Sequence, residues 1–264
     1  MTARPGLRRA RTIGLGLGVL ALLCVGVVGV WRPWAVSPQT VPVAAAAAPL
    51  ALAPLALPER PRVLVFGDSW TYGSAASDPS LGYAYVLADA LGAETIVNGV
   101  RGSGYLKPGI DGPTFGERVA LLDPTLRPDL VIVQGSINDR HMGAKGYDAA
   151  VGAAWDALAA TYPDATIVVL GPAPHKLPIG KATARIDRDL ARLAASRGWH
   201  YISPIAETWI TPDNYATVID AGLGRFHPST DGHRYLAERL TEDLRRLASE
   251  SPVLAGESEE AVQR

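Results

Sequence analysis

The sequence predicts an α/β protein: a three-layer α/β/α sandwich around a five-stranded parallel sheet. Two observations carry this expectation. Five short apolar runs, most of them rich in β-branched residues, each end at a Gly, Pro or polar loop. Between them lie longer stretches whose apolar residues recur at helical spacing, so that strand and helix alternate along the chain. A strand that returns parallel to its neighbour needs a right-handed crossover, and such crossovers cover a sheet on both faces. No solenoid period is superimposed on this alternation.

The first strand is the apolar run from Arg62 to Phe66, which breaks into Gly67-Asp68-Ser69-Trp70. Gly82 to Leu91 places Tyr83, Val86, Leu87, Ala90 and Leu91 at helical spacing, and Gly92 ends the helix. Thr95 to Val100 is the second strand and leaves into Arg101-Gly102-Ser103-Gly104, and a short helix covers Phe115 to Leu122. Asp129 to Val133 is the third strand, followed by Gln134-Gly135-Ser136-Ile137-Asn138-Asp139. A helix over Tyr147 to Thr161, a strand over Thr166 to Leu170, a helix over Ala182 to Arg197 and a strand over Trp199 to Ile202 complete the alternation. The last helix, Asp231 to Ala248, presents Leu236, Leu240, Leu244 and Leu247 on one face, with Ser229, Thr230 or Asp231 as N-cap. These elements delimit a domain over 62–248, and the acidic stretch 249–264 is expected to be a disordered tail.

Before the domain the composition changes. Ile13 to Val30 is an uncharged apolar run about long enough to cross a bilayer core as a helix. Four arginines precede it and Trp31-Arg32-Pro33-Trp34 follows, which favours a cytoplasmic amino terminus and a far interface at the tryptophans. Residues 1–34 therefore read as a signal-anchor holding the domain on the outer side of a cell membrane; cleavage in the Ala44–Ala48 tract would release it as a secreted protein. The Ala- and Pro-rich stretch 35–61 reads as a linker. No acidic residue precedes Glu59, so residues 59–264 carry 20 Lys and Arg against 26 Asp and Glu, a formal charge of about −6. An acidic domain lacks the basic footprint of a nucleic-acid binder. The single cysteine, Cys24, excludes a disulfide framework and a multi-cysteine zinc site. No cofactor motif occurs, and Gly99, Gly102 and Gly104 do not have dinucleotide-fingerprint spacing.

Ser69, Gly102 and Asn138 each lie just past the carboxyl end of a strand, where ligands gather in open parallel sheets, and His227 precedes the last helix. The blocks Phe66-Gly67-Asp68-Ser69, Asn98-Gly99-Val100-Arg101-Gly102, Gly135-Ser136-Ile137-Asn138-Asp139 and Phe226-His227-Pro228 occur in that order. Over about 62–248 the sequence resembles the SGNH (GDSL-type) hydrolases, and the resemblance implies a flavodoxin-like fold with no metal or other cofactor. It implies Ser69 as nucleophile, His227 as base, and an oxyanion hole from Ser69, Gly102 and Asn138. The chemistry agrees: a serine hydroxyl needs a base to take its proton, and the tetrahedral intermediate needs fixed donors. Backbone N–H groups and an uncharged amide supply such donors.

Two positions depart from the family pattern. Gly224 stands where an aspartate three residues before the histidine is usual, so the imidazole is expected to be oriented by the Gly224 carbonyl, which needs no rearrangement, with Asp220 as the alternative. Ile137 adds one residue between Ser136 and Asn138. Trp70, beside the nucleophile, is expected to wall the acyl pocket, and His175 to reach the pocket rim. The expected activity is extracytoplasmic hydrolysis of small-molecule or glycan acyl esters. An O-acyltransferase using the same residues, or a non-catalytic membrane-tethered module binding glycan or envelope polymer, are the alternatives.

Overall fold

Strand β1 (Arg62–Gly67) is buried along almost its whole length because it is central: β2 (Glu94–Gly99) pairs with it on one side and β3 (Leu130–Gln134) on the other. The computed structural model describes residues 52–249; the apolar run within 1–34, Cys24, the first part of the linker and the tail past Ser249 lie outside the described residues. Strands β4 (Thr166–Leu170) and β5 (His200–Ile202) extend the sheet, giving the order β2-β1-β3-β4-β5 with every pair parallel.

Alternate side chains of the central strands go to opposite faces, as the period of a strand dictates. Val63 and Val65 of β1, Leu130 and Ile132 of β3 and Val168 of β4 meet helices α2 (Tyr83–Leu91) and α7 (Thr230–Ser249), with Leu87, Leu236, Leu240 and Leu244 buried among them. Leu64, Phe66, Val131, Val133, Ile167 and Val169 meet α3 (Phe115–Val119), α4 (Tyr147–Thr161) and α5 (Lys181–Ser196). Two cores on the two faces of one parallel sheet make the three-layer sandwich. Besides three 3₁₀ turns, four elements were not legible in the sequence: the single turn α1 (Ser69–Tyr72), the short α6 (Tyr215–Val218), and the two-residue strands β6 (Ile219–Asp220) and β7 (His227–Pro228), which pair antiparallel. Each is too short to show a periodicity.

The linker expectation changes at its end. Leu55 is buried in the first core, and its N–H donates to the Leu247 carbonyl of α7 at 2.9 Å. The Ala53 carbonyl faces His200 Nε2 at 3.0 Å. An apolar side chain in a proline-rich stretch packs wherever a helix leaves room, and here the room lies beside α7. Among the described residues no helix is long and apolar enough to cross a membrane.

Candidate active site

The parallel register sets the site. Gly67 lies opposite Gly99 and Phe66 opposite Val133, so β1, β2 and β3 end at one edge of the sheet and their loops emerge side by side. Ser69 opens α1 immediately past β1. Asp68 caps that turn: its Oδ1 accepts the Trp70 N–H at 2.9 Å. The Asp68 carboxyl is wholly buried, and that burial pushes its pKa up to about 6 against the pull of the Trp70 N–H and the Arg118 guanidinium. As a first-turn residue Ser69 has no acceptor for its N–H within its own helix, and among the described residues no other backbone carbonyl takes it.

Gly102 turns the loop after β2 with φ at +74°, a conformation that favours glycine, and its N–H likewise meets no backbone acceptor among the described residues. Asn138 sits in a 3₁₀ turn, Ile137–His141, just past β3. Ile137 is buried, so the extra residue of this block is taken up inside the protein and Asn138 still faces the cavity. Asn138 Nδ2 donates to the Ser103 carbonyl at 3.0 Å and, over a longer 3.3 Å, to Asp68 Oδ2. Those two bonds tie the three loops together and fix which way the amide points.

His227 stands on β7, directly across the ladder from Asp220. Its Nε2 lies 2.8 Å from Ser69 Oγ, and its Nδ1 lies 2.8 Å from the Gly224 carbonyl. A carbonyl only accepts, so Nδ1 carries the proton and Nε2 is the acceptor facing the serine hydroxyl. Burial lowers the His227 pKa below its usual 6.5; the Gly224 carbonyl works against this, and the Arg140 charge adds to it. The ring is therefore neutral at pH 7, the form a base needs.

Among the described residues no hydrogen bond joins Asp220 to the imidazole. Its Oδ1 accepts the Gly222 N–H at 2.9 Å, and its side chain fills the space beside Gly224. A Cβ on Gly224 would come within 2.6 Å of the Asp220 Cβ and 2.8 Å of the Ala75 Cβ. Arg225 and Phe226, which follow, both have left-handed φ, +51° and +67°. Such a conformation costs of order 1–3 kcal/mol per non-glycine residue. The Phe226 N–H bond to the Asp220 carbonyl (2.8 Å) and the Arg225 N–H bond to the Gly222 carbonyl (3.1 Å) hold it.

Ser69, Gly102, Asn138, Gly224 and His227 line one cavity of about 510 Å³. Trp70 does not. It is buried in the first core and borders a separate, far smaller cavity with Tyr83, Trp209 and Leu236, because the helical turn sends it away from Ser69. His175 also stays off the cavity wall: its ring packs edge-on against Phe226. His141, which carries no sequence signal beyond its loop position, reaches the cavity instead. His233 is buried, accepting the Tyr83 N–H at Nδ1 (3.2 Å) with Nε2 on the Ser74 carbonyl (3.1 Å), and burial pushes its pKa down to about 4. It braces the segment after α1 and stays uncharged. Asp139 ties the β3 loop to the β2 loop by accepting the N–H groups of Tyr105 (2.8 Å), Leu106 and Lys107 (3.0 Å each). Its acidic position is plain in the sequence, but its partners more than thirty residues away are not. Among the described residues no group of three His, Cys, Asp or Glu is placed to hold a metal ion.

Comparison with known proteins agrees with this geometry. A GDSL lipase of Mycobacterium tuberculosis is 26% identical over 189 residues, 67% of this chain and 79% of that protein. A family two carbohydrate esterase from Cellvibrio japonicus superposes with a TM-score of 0.55 at 22% identity, over 74% of this chain and 63% of that one. A carbohydrate acetylesterase family member from Sinorhizobium meliloti does so with a TM-score of 0.56 at 16% identity, over 72% of this chain and 100% of that one. At such identities the two structures speak for the fold. The GDSL-like lipase/acylhydrolase family matches residues 65–235, a span that starts within β1 and ends within α7 and takes in Ser69, Gly102, Asn138 and His227; the chain belongs to that family and is a serine ester hydrolase.

Proposed function

We propose that the protein hydrolyses carboxylic esters through a Ser69–His227 dyad, on the outer side of a cell membrane. The observation that carries the mechanism is the imidazole held between two partners, 2.8 Å from Ser69 Oγ and 2.8 Å from the Gly224 carbonyl. Ser69 Oγ attacks the ester carbonyl carbon while His227 Nε2 takes the hydroxyl proton. The negative charge that develops on the carbonyl oxygen is met by the N–H groups of Ser69 and Gly102 and by the Asn138 amide, whose long bond to Asp68 is the one that yields. Removing one such donor costs roughly 10²–10³ in rate in a well-studied protease. His227 then gives the proton to the leaving alcohol, and a water activated by the same ring releases the acid from the acyl-serine. The backbone carbonyl of Gly224 takes the part an aspartate plays in a triad: it fixes the tautomer and turns Nε2 toward the serine.

The location rests on the sequence: the apolar run Ile13–Val30, four arginines before it and two tryptophans after it. Transfer of the acyl group to a sugar hydroxyl would use the same residues, and product analysis with a polyol acceptor separates it from hydrolysis. The test of the dyad is 4-nitrophenyl acetate turnover and labelling by a fluorophosphonate. Both are expected to vanish in Ser69→Ala while circular dichroism stays that of the parent. Turnover kept by the purified variant would refute the mechanism.

A further inference from the structure

The cavity mouth has the wrong charge for an acidic domain. Arg101, Lys107 and Arg225 line it, and no aspartate or glutamate does. Arg101 is neutralised by Asp111, which takes both its Nε (2.5 Å) and an Nη (2.9 Å). Lys107 and Arg225 form no ion pair among the described residues. Lys107 is half-buried, with Nζ donating to the carbonyls of Gly102 (3.0 Å) and Pro108 (3.3 Å), which leaves its third proton free and its charge uncompensated. The carboxylates nearest the site are engaged with other partners: wholly buried Asp68 with Trp70 and Asn138, Asp139 with the N–H groups of Tyr105, Leu106 and Lys107, and Asp220 with the Gly222 N–H.

A cleft lined by one sign of charge concentrates ligands of the other sign. The two cations also occupy distinct places. Lys107 is tied to the carbonyl of Gly102, on the oxyanion side, whereas Arg225 lies in the loop that carries Gly224 and leads into His227. The leaving alcohol must receive its proton from His227 Nε2, so it lies on the Arg225 side. We propose that the alcohol half of the substrate carries an anionic oxygen group, a phosphate or a carboxylate, recognised by Arg225 with Lys107 across the mouth. This rests on the dyad reading of the site. A guanidinium grips such a group with two parallel hydrogen bonds, and an ammonium adds a point charge. Ile110 and Leu223, 79% and 100% exposed, also line this cavity and supply an apolar lip for the rest of the substrate.

The test compares kcat/KM on one preparation for 1-acetylglycerol, 1-acetylglycerol 3-phosphate and 3-acetylglycerate in low salt. At least one of the anionic esters is expected to exceed the neutral ester about tenfold or more, within the range that charge focusing supplies. The ratio is expected to fall toward one in 0.5 M NaCl and in Lys107→Met/Arg225→Gln, and to invert in Arg225→Glu. Being a ratio of substrates on one enzyme, it is insensitive to a general loss of rate or folded fraction. The same comparison with 1-lauroylglycerol and its 3-phosphate tells a lipid source of the anion from a small polyol: preference for the lauroyl phosphate assigns the lipid, preference for the acetyl phosphate the polyol. A ratio near one for both anions, or one unchanged in the double variant, overturns the proposal while fluorophosphonate labelling of Ser69 leaves the dyad standing. No labelling and no hydrolysis of any ester overturns both.

Discussion

At the scale of single residues, the site is decided by what faces the two nitrogens of His227. Its pKa is set by burial first, by the Gly224 carbonyl second and by the Arg140 charge third. The base must be neutral to take the serine proton, so the acid limb of kcat/KM is expected below pH 6.5 and not above it. Removing the Arg140 charge favours the imidazolium, which raises the pKa and moves that limb to higher pH. Arg140→Gln should show the shift in a pH profile with 4-nitrophenyl acetate; a limb that stays put or moves down contradicts the assignment. Asp220 gives the complementary test. Asn keeps an oxygen for the Gly222 N–H, so Asp220→Asn is expected to change kcat by less than about threefold, whereas loss of a working triad aspartate costs about 10⁴. The sequence announced that an aspartate was missing at Gly224, and it named both substitutes. Economy favours the carbonyl, which needs no rearrangement, but the turn that presents it rests on two consecutive left-handed residues, Arg225 and Phe226, neither of which is a residue type that favours that conformation.

At the scale of elements, the boundary of the domain lies earlier than composition suggests. Leu55 is buried against α7 and its N–H reaches the Leu247 carbonyl, so a fragment starting at Glu59 loses a core side chain and a hydrogen bond. Deleting a buried leucine side chain costs about 2–5 kcal/mol, and a net hydrogen bond about 1 kcal/mol. A fragment starting at Leu50 is therefore expected to unfold at a higher urea midpoint than one starting at Glu59, by at least about 2 kcal/mol at equal slope. Coincident midpoints would show that the 52–58 segment contributes nothing. The same contrast explains what was legible. Helices such as Tyr147–Thr161 and strands such as Thr166–Leu170 announce themselves by period and have the bounds read from the sequence. Leu55, α1 and the β6–β7 pair have no period to read; they exist because long-range neighbours accept them. The mouth cations fall in the same class. Lys107 and Arg225 are 118 positions apart, and only the closure of the fold puts them on one cavity.

At the scale of the whole molecule, the distribution of charge and apolar length bears on where such an enzyme works. The stretch 59–264 carries a formal charge of about −6 while residues 1–34 hold five arginines and no acid. The uncharged run from Ile13 to Val30 is about long enough to cross a bilayer core as a helix. If this run anchors the chain, the full-length protein should sediment with membranes and resist extraction by alkaline carbonate, whereas a fragment starting at Leu50 should be found in the soluble fraction with the same kcat/KM on 4-nitrophenyl acetate. Protease added to intact cells should then reach the domain, since positive-inside orientation leaves the arginines within and Ser69 outside. Cleavage in the Ala44–Ala48 tract would instead yield a shortened soluble protein in the medium, which keeps the domain outside but removes the tether. Full-length chain recovered in the carbonate wash, or protected from protease until the cells are broken, would sink the anchored arrangement and leave the esterase chemistry untouched.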